Sequence, residues 1–333
     1  MFDTKTRFDM KKNILFCTLL AVGVIMRAQS AIDTHIAKND VQDENTFALV
    51  IANENYSQEA SVPYALRDGE VFRRYLTETL GIPEKQVLYA PDATLTDIKR
   101  NLGTLEKLVN TMNGEARAIV YYSGHGMPDD SSQKAYLMPT DGYSADPSSC
   151  MPTDEFYKRL GSMNARQTLV FLDACFSGAS REGGMIRKQG ERGVAIKEKP
   201  AQVQGKMVVF SATNAGQTAH PYKEKAHGMF TYYVLEELQK TGGDVTLGEL
   251  SDKVKSNVGR VALIETKKDQ TPTVTASSGS QDWRNWKLAG HKASRYVDLP
   301  MPVVQQKVSA PVQPTTTEPA TTPKQNKPKR SYW

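Results

Sequence analysis

Two segments of this chain carry residue types suited to covalent catalysis, and both set them at the end of an apolar run. Leu169 to Gly178 reads LVFLDACFSG, whose apolar residues give way to Asp173, Ala174 and Cys175 and then to small side chains. About fifty residues upstream, the run Ala118 to Tyr122 ends in Ser123-Gly124-His125-Gly126. Short apolar runs bounded in this way read as buried strands, and the carboxyl ends of such strands are where open α/β sheets place their sites. Cys175 is a candidate nucleophile, with His125 as the group that manages its proton. A neighbouring imidazole favours the thiolate, the reactive form. Acyl transfer also needs donors for the oxyanion; the backbone N–H groups of Gly126 and Cys175 are the candidates, because small neighbours leave them accessible.

Other chemistries fit less well. A lone cysteine is commonly a small buried hydrophobe, so Cys175 gains its meaning from His125. The tripeptide His125-Gly126-Met127 recurs as His227-Gly228-Met229, but His227 follows Lys223-Glu224-Lys225 and reads as a loop histidine. His35, His220 and His291 also lie in polar segments. No pair of His or Cys residues has the spacing of a zinc site. Gly124-His125-Gly126 lacks the third glycine and lysine of a phosphate-binding loop, and no serine sits in a G-x-S-x-G elbow.

The elements needed to position the pair are legible in order. The 333 residues, 39% hydrophobic and 24% charged, have ordinary globular composition. Lys11 and Lys12, the apolar run Ile14 to Met26 and the small stretch Ala28-Gln29-Ser30-Ala31 follow the order of a secretory signal, and the run is short for a membrane span. Residues 1–30 are therefore read as a signal peptide, with Met10 as an alternative start, and 31–45 as a flexible lead-in. Phe47 to Ala52 is a first strand, Tyr64 to Leu80 a helix and Gln86 to Ala90 a second strand. Thr94 and Asp97 form a capping box ahead of Leu95, Ile98, Leu102, Leu105 and Val109, an apolar helix face. Strands at 118–122 and 168–172 deliver His125 and Cys175; a further strand, Met207 to Phe210, precedes helices at Phe230 to Leu238 and Thr246 to Val258. Strand and helix in alternation predict one α/β domain over 46–290 with a mostly parallel sheet. The Gly-rich basic segment 178–206 is long for a loop inside a domain, and 300–333, rich in Pro, Thr and Lys, is expected to be disordered.

The net charge of +5 owes much to that tail. No basic patch interleaved with aromatics occurs elsewhere, which argues against nucleic-acid binding. Without the signal only Cys150 and Cys175 remain, too few for a disulfide framework. They are either one disulfide or, as the flanking residues favour, a thiol retained because it reacts.

Taken together, Tyr121-Tyr122-Ser123-Gly124-His125-Gly126 and Leu172-Asp173-Ala174-Cys175-Phe176-Ser177-Gly178 resemble the caspase-like cysteine peptidases, in particular the bacterial and metacaspase-type branch. A histidine about fifty residues before the cysteine is that family's stated spacing. Ser211-Ala212-Thr213, Gly228-Met229-Phe230-Thr231 and Gln270-Thr271-Pro272 are weaker echoes, and the resemblance runs from about Phe47 to Trp286. It implies a caspase-like fold, a mostly parallel sheet flanked by helices on both faces. It also implies Cys175 as nucleophile, His125 as general acid/base, and an oxyanion hole from Gly126 and Cys175.

The chain departs from caspases in having Asp173, not Gln, two residues before the cysteine. The stretch Leu66-Arg67-Asp68-Gly69 looks like the metacaspase pattern, so the resemblance implies a substrate pocket formed by Asp68, Ser123 and Asp173. Two carboxylates at one pocket select a guanidinium or ammonium and repel an acid. The expected activity is an exported cysteine endopeptidase, periplasmic, envelope-associated or secreted, cleaving proteins or peptides after Arg or Lys. Self-cleavage in 178–206 is a further expectation. A clostripain- or gingipain-like peptidase and a catalytically silent binding module are the alternatives. No cofactor is implied; some metacaspase relatives require calcium, but no EF-hand-like spacing occurs, and Asp129, Asp130 and Asp141 are scattered.

Overall fold

The computed structural model describes residues 31–129, 134–176, 202–214 and 216–302. Its centre is a sheet of six strands: β1 (Thr46–Ala52), β2 (Val87–Pro91), β3 (Arg117–Ser123), β4 (Gln167–Asp173), β5 (Met207–Ser211) and β6 (Thr273–Ala276), in spatial order β6-β5-β4-β3-β1-β2. The first five run parallel, and β6 closes one edge antiparallel to β5. Every residue of β1 and β3 is buried, which explains their unbroken apolar sequences: a parallel strand covered on both faces has no solvent side to alternate with.

Five helices supply that cover: α1 (Ala65–Arg74), α2 (Leu95–Asn110), α3 (Thr153–Gly161), α4 (Met229–Thr241) and α5 (Leu247–Thr266). Val71 and Phe72 of α1, with Phe230 and Leu235 of α4 and Leu250 and Val254 of α5, pack on the sheet face presenting Val50, Tyr121, Phe171 and Phe210. Ile98, Leu102 and Leu105 of α2 and Phe156 and Leu160 of α3 cover the opposite face, made by Ile51, Val120, Tyr122, Val170 and Leu172. The predicted capping box is present: Thr94 Oγ1 accepts from Asp97 N, and the Asp97 carboxylate accepts from Thr94 N. Such a cap contributes about 1 kcal/mol. The sheet is thus mostly parallel with helices on both faces, as expected.

Chain order reverses between β1 and β3, since β2 lies outside β1 and the chain then returns to its other side. The carboxyl ends at such a reversal are where open α/β sheets place their sites, free of a crossing connection. Ala52, Ser123 and Asp173 end β1, β3 and β4 in mutual register. The segments that follow these three residues form the site.

The expected flexible lead-in is ordered instead. Ala31–Thr34 makes one helical turn and His35–Lys38 pairs antiparallel with Arg295–Asp298, burying Ile32, Asp33 and Ile36. Its backbone is tied down by core hydroxyls: Tyr75 Oη donates to Ile32 O at 3.1 Å and Thr79 Oγ1 to Ala37 O at 2.6 Å. Two apolar side chains spaced by four gave no strand period, so the segment read as polar. The packed unit also extends past residue 290, and Leu299 N donates to Thr34 O at 2.7 Å. The antiparallel edge strand β6 had no counterpart in the sequence reading either, since its TVTA is short and only partly buried. The predicted signal, residues 178–201 of the basic loop and residues 303–333 of the tail lie outside the described residues.

Candidate active site

His125 and Cys175 each follow a strand end by two residues, and those ends, Ser123 and Asp173, are directly paired. The two motifs therefore emerge side by side. Gly124 N donates to Asp173 O at 3.3 Å. A Cβ on Gly126 would lie 2.5 Å from the carbonyl oxygen of Cys175 and 2.7 Å from Phe176 Cδ1, so the two backbones are in contact there and only glycine fits. Gly126 and Leu137 begin a small antiparallel ribbon, and Met138 N donates to His125 O at 3.0 Å. That bond makes Gly126 and Leu137 a non-hydrogen-bonded pair, in which the ladder does not consume the Gly126 N–H. The predicted oxyanion donor and the Cys175 backbone are thus brought together.

The His125 side chain and its backbone are both fixed. Its Nε2 lies 2.7 Å from the carbonyl oxygen of Ala60, which can only accept, so Nε2 carries the hydrogen and Nδ1 is the basic nitrogen of the neutral ring. Tyr56 Oη accepts from His125 N at 2.8 Å, and its ring lies 4.7 Å from the imidazole, centroid to centroid. Tyr122 Oη lies 2.7 Å from His125 O and 2.8 Å from Met138 O. Ala60 and Tyr56 belong to the stretch 53–61 that reads as polar turn material. Their contributions are a backbone carbonyl and a lone hydroxyl, neither of which leaves a motif.

Cys175 is 5% exposed, and both it and Cys150 are free thiols, which removes the alternative of a disulfide between them. Ala219 N donates to Cys175 Sγ at 2.7 Å, a bond that a thiolate accepts more strongly than a thiol. Cys150 is a different case. Burial pushes its thiol up to about 11, against weaker help from the Ser149 hydroxyl.

The three residues implied for the pocket lie at the same end of the sheet. Ser123 and Asp173 are fully buried, adjacent in register and on the face covered by α1 and α4. Asp68, on α1, is buried against that face, where the helix sits close enough for a Cβ on Gly69 to collide with that of Ala52. Both carboxylates meet the start of α4, whose N-cap, Gly228, has no side chain to cap it. Gly228 N donates to Asp68 Oδ2 at 2.9 Å, and Thr231 donates to Asp173 Oδ2 from Oγ1 at 2.6 Å and from N at 3.3 Å. Orphan amides at a helix start attract carboxylates, and here they hold Asp68 and Asp173 to one helical turn. Because Thr231 gives its hydrogen to Asp173, the 2.7 Å contact between Tyr121 Oη and Thr231 Oγ1 is donated by Tyr121.

His227 is not a loop histidine. It is fully buried, with Nδ1 2.7 Å from Asp68 Oδ1 and Nε2 2.9 Å from Asp33 Oδ1, while Arg67 Nη2 donates to Asp33 Oδ2 at 2.6 Å. Burial opposes a charge on the ring, but hydrogen bonds to Asp33 and Asp68 outweigh it and hold its pKa above the ordinary value. The repeated His-Gly-Met tripeptide was the one sequence signal for this residue.

Among the described residues no group of three or more His, Cys, Asp or Glu side chains is arranged to hold a metal ion. Asp141 serves as a cap, its Oδ1 accepting from Leu95 N at 2.9 Å. Asp130 lies outside the described residues.

Comparison with known proteins bears on the family and the fold. The family model described as Caspase domain matches residues 45–282. No curated protein sequence matches the chain. Caspase-1 from Spodoptera frugiperda superimposes with a TM-score of 0.51 at 16% identity, covering 72% of this chain and 89% of its own. A protein from Geobacter sulfurreducens gives 0.52 at 17% identity, covering 73% of this chain and 97% of its own. At these identities the two structures are similar to this chain in fold.

Proposed function

The chain belongs to the caspase domain family of cysteine peptidases, and from that premise we propose that it is an exported endopeptidase cleaving after Arg or Lys. Cys175 attacks the scissile carbonyl, forming a thioester through a tetrahedral intermediate, and the amine leaves with a proton delivered by His125. Water then attacks the thioester, giving its proton to His125 and releasing the acid and the thiol. The N–H groups of Gly126 and Cys175 receive the oxyanion in both halves. The observation that carries this reading is the direct pairing of Ser123 with Asp173, which launches His125 and Cys175 from adjacent strand ends.

The pocket assignment rests on Asp68, Ser123 and Asp173 sharing one end of the sheet. Carboxylates favour a cationic P1 side chain over an acidic one. The long basic segment 178–206 suits cleavage by the enzyme itself, and the sequence of residues 1–30 supports export. Protein and peptide substrates need no cofactor in this scheme.

An Arg-directed covalent inhibitor tests the core of the proposal. Labelling of the wild type that disappears in Cys175→Ala is expected; labelling that persists in that variant, or its absence in both, overturns the enzymatic reading in favour of a silent module. Fluorogenic Arg, Lys and Asp reporters test specificity, and faster turnover of the Asp reporter overturns the basic pocket. For self-processing, mass spectrometry should find 178–206 cut in the wild type and intact in Cys175→Ala.

A further inference from the structure

From the pocket residue Asp68 runs a chain of four charged side chains, three of which the catalytic scheme does not use. Arg67, Asp33, His227 and Asp68 are joined in series by contacts of 2.6, 2.9 and 2.7 Å. Asp33, His227 and Asp68 are inaccessible to solvent. A neutral imidazole has one N–H, whereas here both ring nitrogens face carboxylates, which only accept when ionised. With the carboxylates ionised, an imidazolium satisfies both contacts. Two cations and two carboxylates then balance, which avoids an uncompensated buried charge.

The four residues come from three separate places. Arg67 and Asp68 are neighbours on α1, and His227 lies two residues before the first residue of α4. Asp33 comes from the turn Ala31–Thr34, directly after the predicted export signal. Two packed isoleucines and the strand pairing with Arg295–Asp298 hold that turn in place. Gln239 Nε2 adds donors to Ala31 O at 3.1 Å and His35 O at 2.5 Å.

We propose that Asp33 and His227 are positioning residues for substrate choice, holding the Asp68 carboxylate at the start of α4 as a fixed negative charge behind the place a basic P1 side chain would occupy. The inference rests on the reading of Asp68 as a pocket acid. It makes the segment after the signal part of the specificity apparatus, although that segment contains no group that touches the reacting atoms. His227 bonds Asp68 Oδ1, and Gly228 N reaches both Asp68 oxygens, at 3.2 and 2.9 Å. Without the imidazolium, the carboxylate would lose the side-chain bond to its Oδ1. Without Asp33, the imidazolium would lose one of its two partners and would itself be displaced or discharged.

Side-chain amides separate the two halves of the relay. His227→Asn places an N–H near the Nδ1 position and keeps a donor for Asp68, whereas His227→Gln reaches the Nε2 position and keeps only the Asp33 side. For the Arg reporter, His227→Gln is expected to raise KM about tenfold with kcat changed less than about threefold, the equivalent of one lost charge-assisted hydrogen bond. Asp33→Asn should act in the same direction, and His227→Asn should recover part of the loss. Alkylation of Cys175 by iodoacetamide should keep its wild-type rate in all three. Folded variants with unchanged KM overturn the inference, as does a parallel fall in kcat and alkylation without a KM effect, which marks a merely structural role.

If the variants do not fold, the wild type decides. The ionisable groups facing His227 are Asp33 from the terminal turn, Asp68 from α1 and Tyr232 from α4, its ring 6.2 Å away, with Arg67 behind Asp33. KM for the Arg reporter should rise on the alkaline side as the imidazolium is discharged while the substrate guanidinium stays charged; a flat KM overturns the inference. The wild-type ratio of Arg to Asp reporter turnover is measured first. A preference for Asp defeats the pocket reading itself, whereas a basic preference with silent variants defeats only the positioning role.

Discussion

Ala60 accepts a hydrogen bond from His125 through its backbone carbonyl, 2.7 Å from Nε2. The contact fixes the tautomer and leaves Nδ1 as the base, so the loop after β1 decides which nitrogen acts. Tyr56 anchors the same histidine by accepting its backbone N–H. Tyr56→Phe strands a part-buried donor at a cost of about 1–3 kcal/mol. It is expected to lower kcat about tenfold with little change in KM, a loss of about 1.4 kcal/mol in the transition state. Steady-state kinetics and urea unfolding read the two effects separately, and an unchanged kcat would remove Tyr56 from the positioning of His125.

Gly124 and Gly126 differ in what an added methyl meets. At Gly124 it would lie 2.6 Å from Tyr56 Oη and 2.8 Å from Tyr122 Oη, the hydroxyls that hold the backbone of His125. At Gly126 it meets the Cys175 carbonyl, which is backbone and cannot rotate away. Gly124→Ala should fold with reduced kcat, because side chains can yield. Gly126→Ala should lose both activity and stability, by an amount in the range of about 1–3 kcal/mol typical of overpacking. Equal thermal midpoints for the two variants would contradict this ranking.

The parts of this architecture that were legible in the sequence were those built on unbroken apolar runs and on caps. FALVIA, the run ending in His125 and the run ending in Cys175 became β1, β3 and β4 because parallel strands buried on both faces admit no polar alternation. Thr94 and Asp97 announced α2 with their own side chains. The contributions of Ala60, Ala219 and Asp33 were not visible, because two are backbone groups and the third is one acid in a polar stretch. His227 was misread for a related reason. Its neighbours in sequence are charged, while its neighbours in space, Asp33 and Asp68, are 194 and 159 residues away along the chain.

The two thiols should respond differently to alkylation. Burial raises Cys150 to about 11, leaving it almost wholly protonated at neutral pH. Cys175 receives the Ala219 N–H on its sulfur and lies beside the segment bearing His125. Limited iodoacetamide at pH 7 followed by peptide mapping should therefore find Cys175 modified well before Cys150. Comparable labelling of both under native conditions would show that the Cys175 environment does not activate it.

Thermal stability should fall on both sides of neutrality because of the Asp33–His227 pair. The folded pKa of His227 is raised above the ordinary 6.5, since its bonds to Asp33 and Asp68 outweigh the opposing effect of burial. A raised value means that the folded state binds the proton more tightly than the unfolded chain. The stabilisation is therefore complete below pH 6.5 and is lost as pH rises through the folded value. Asp33 has the opposite sign: burial alone would raise it, but His227 and Arg67 hold it below the ordinary 3.8. Its contribution is complete above 3.8 and disappears as pH falls through the lowered folded value. Melting curves across pH should thus show an alkaline decline that is absent in His227→Gln, and an acid decline that is shallower in Asp33→Asn. A wild type and His227→Gln whose midpoints run parallel through the alkaline range would mean that the buried ring carries no proton, contrary to its two carboxylate contacts.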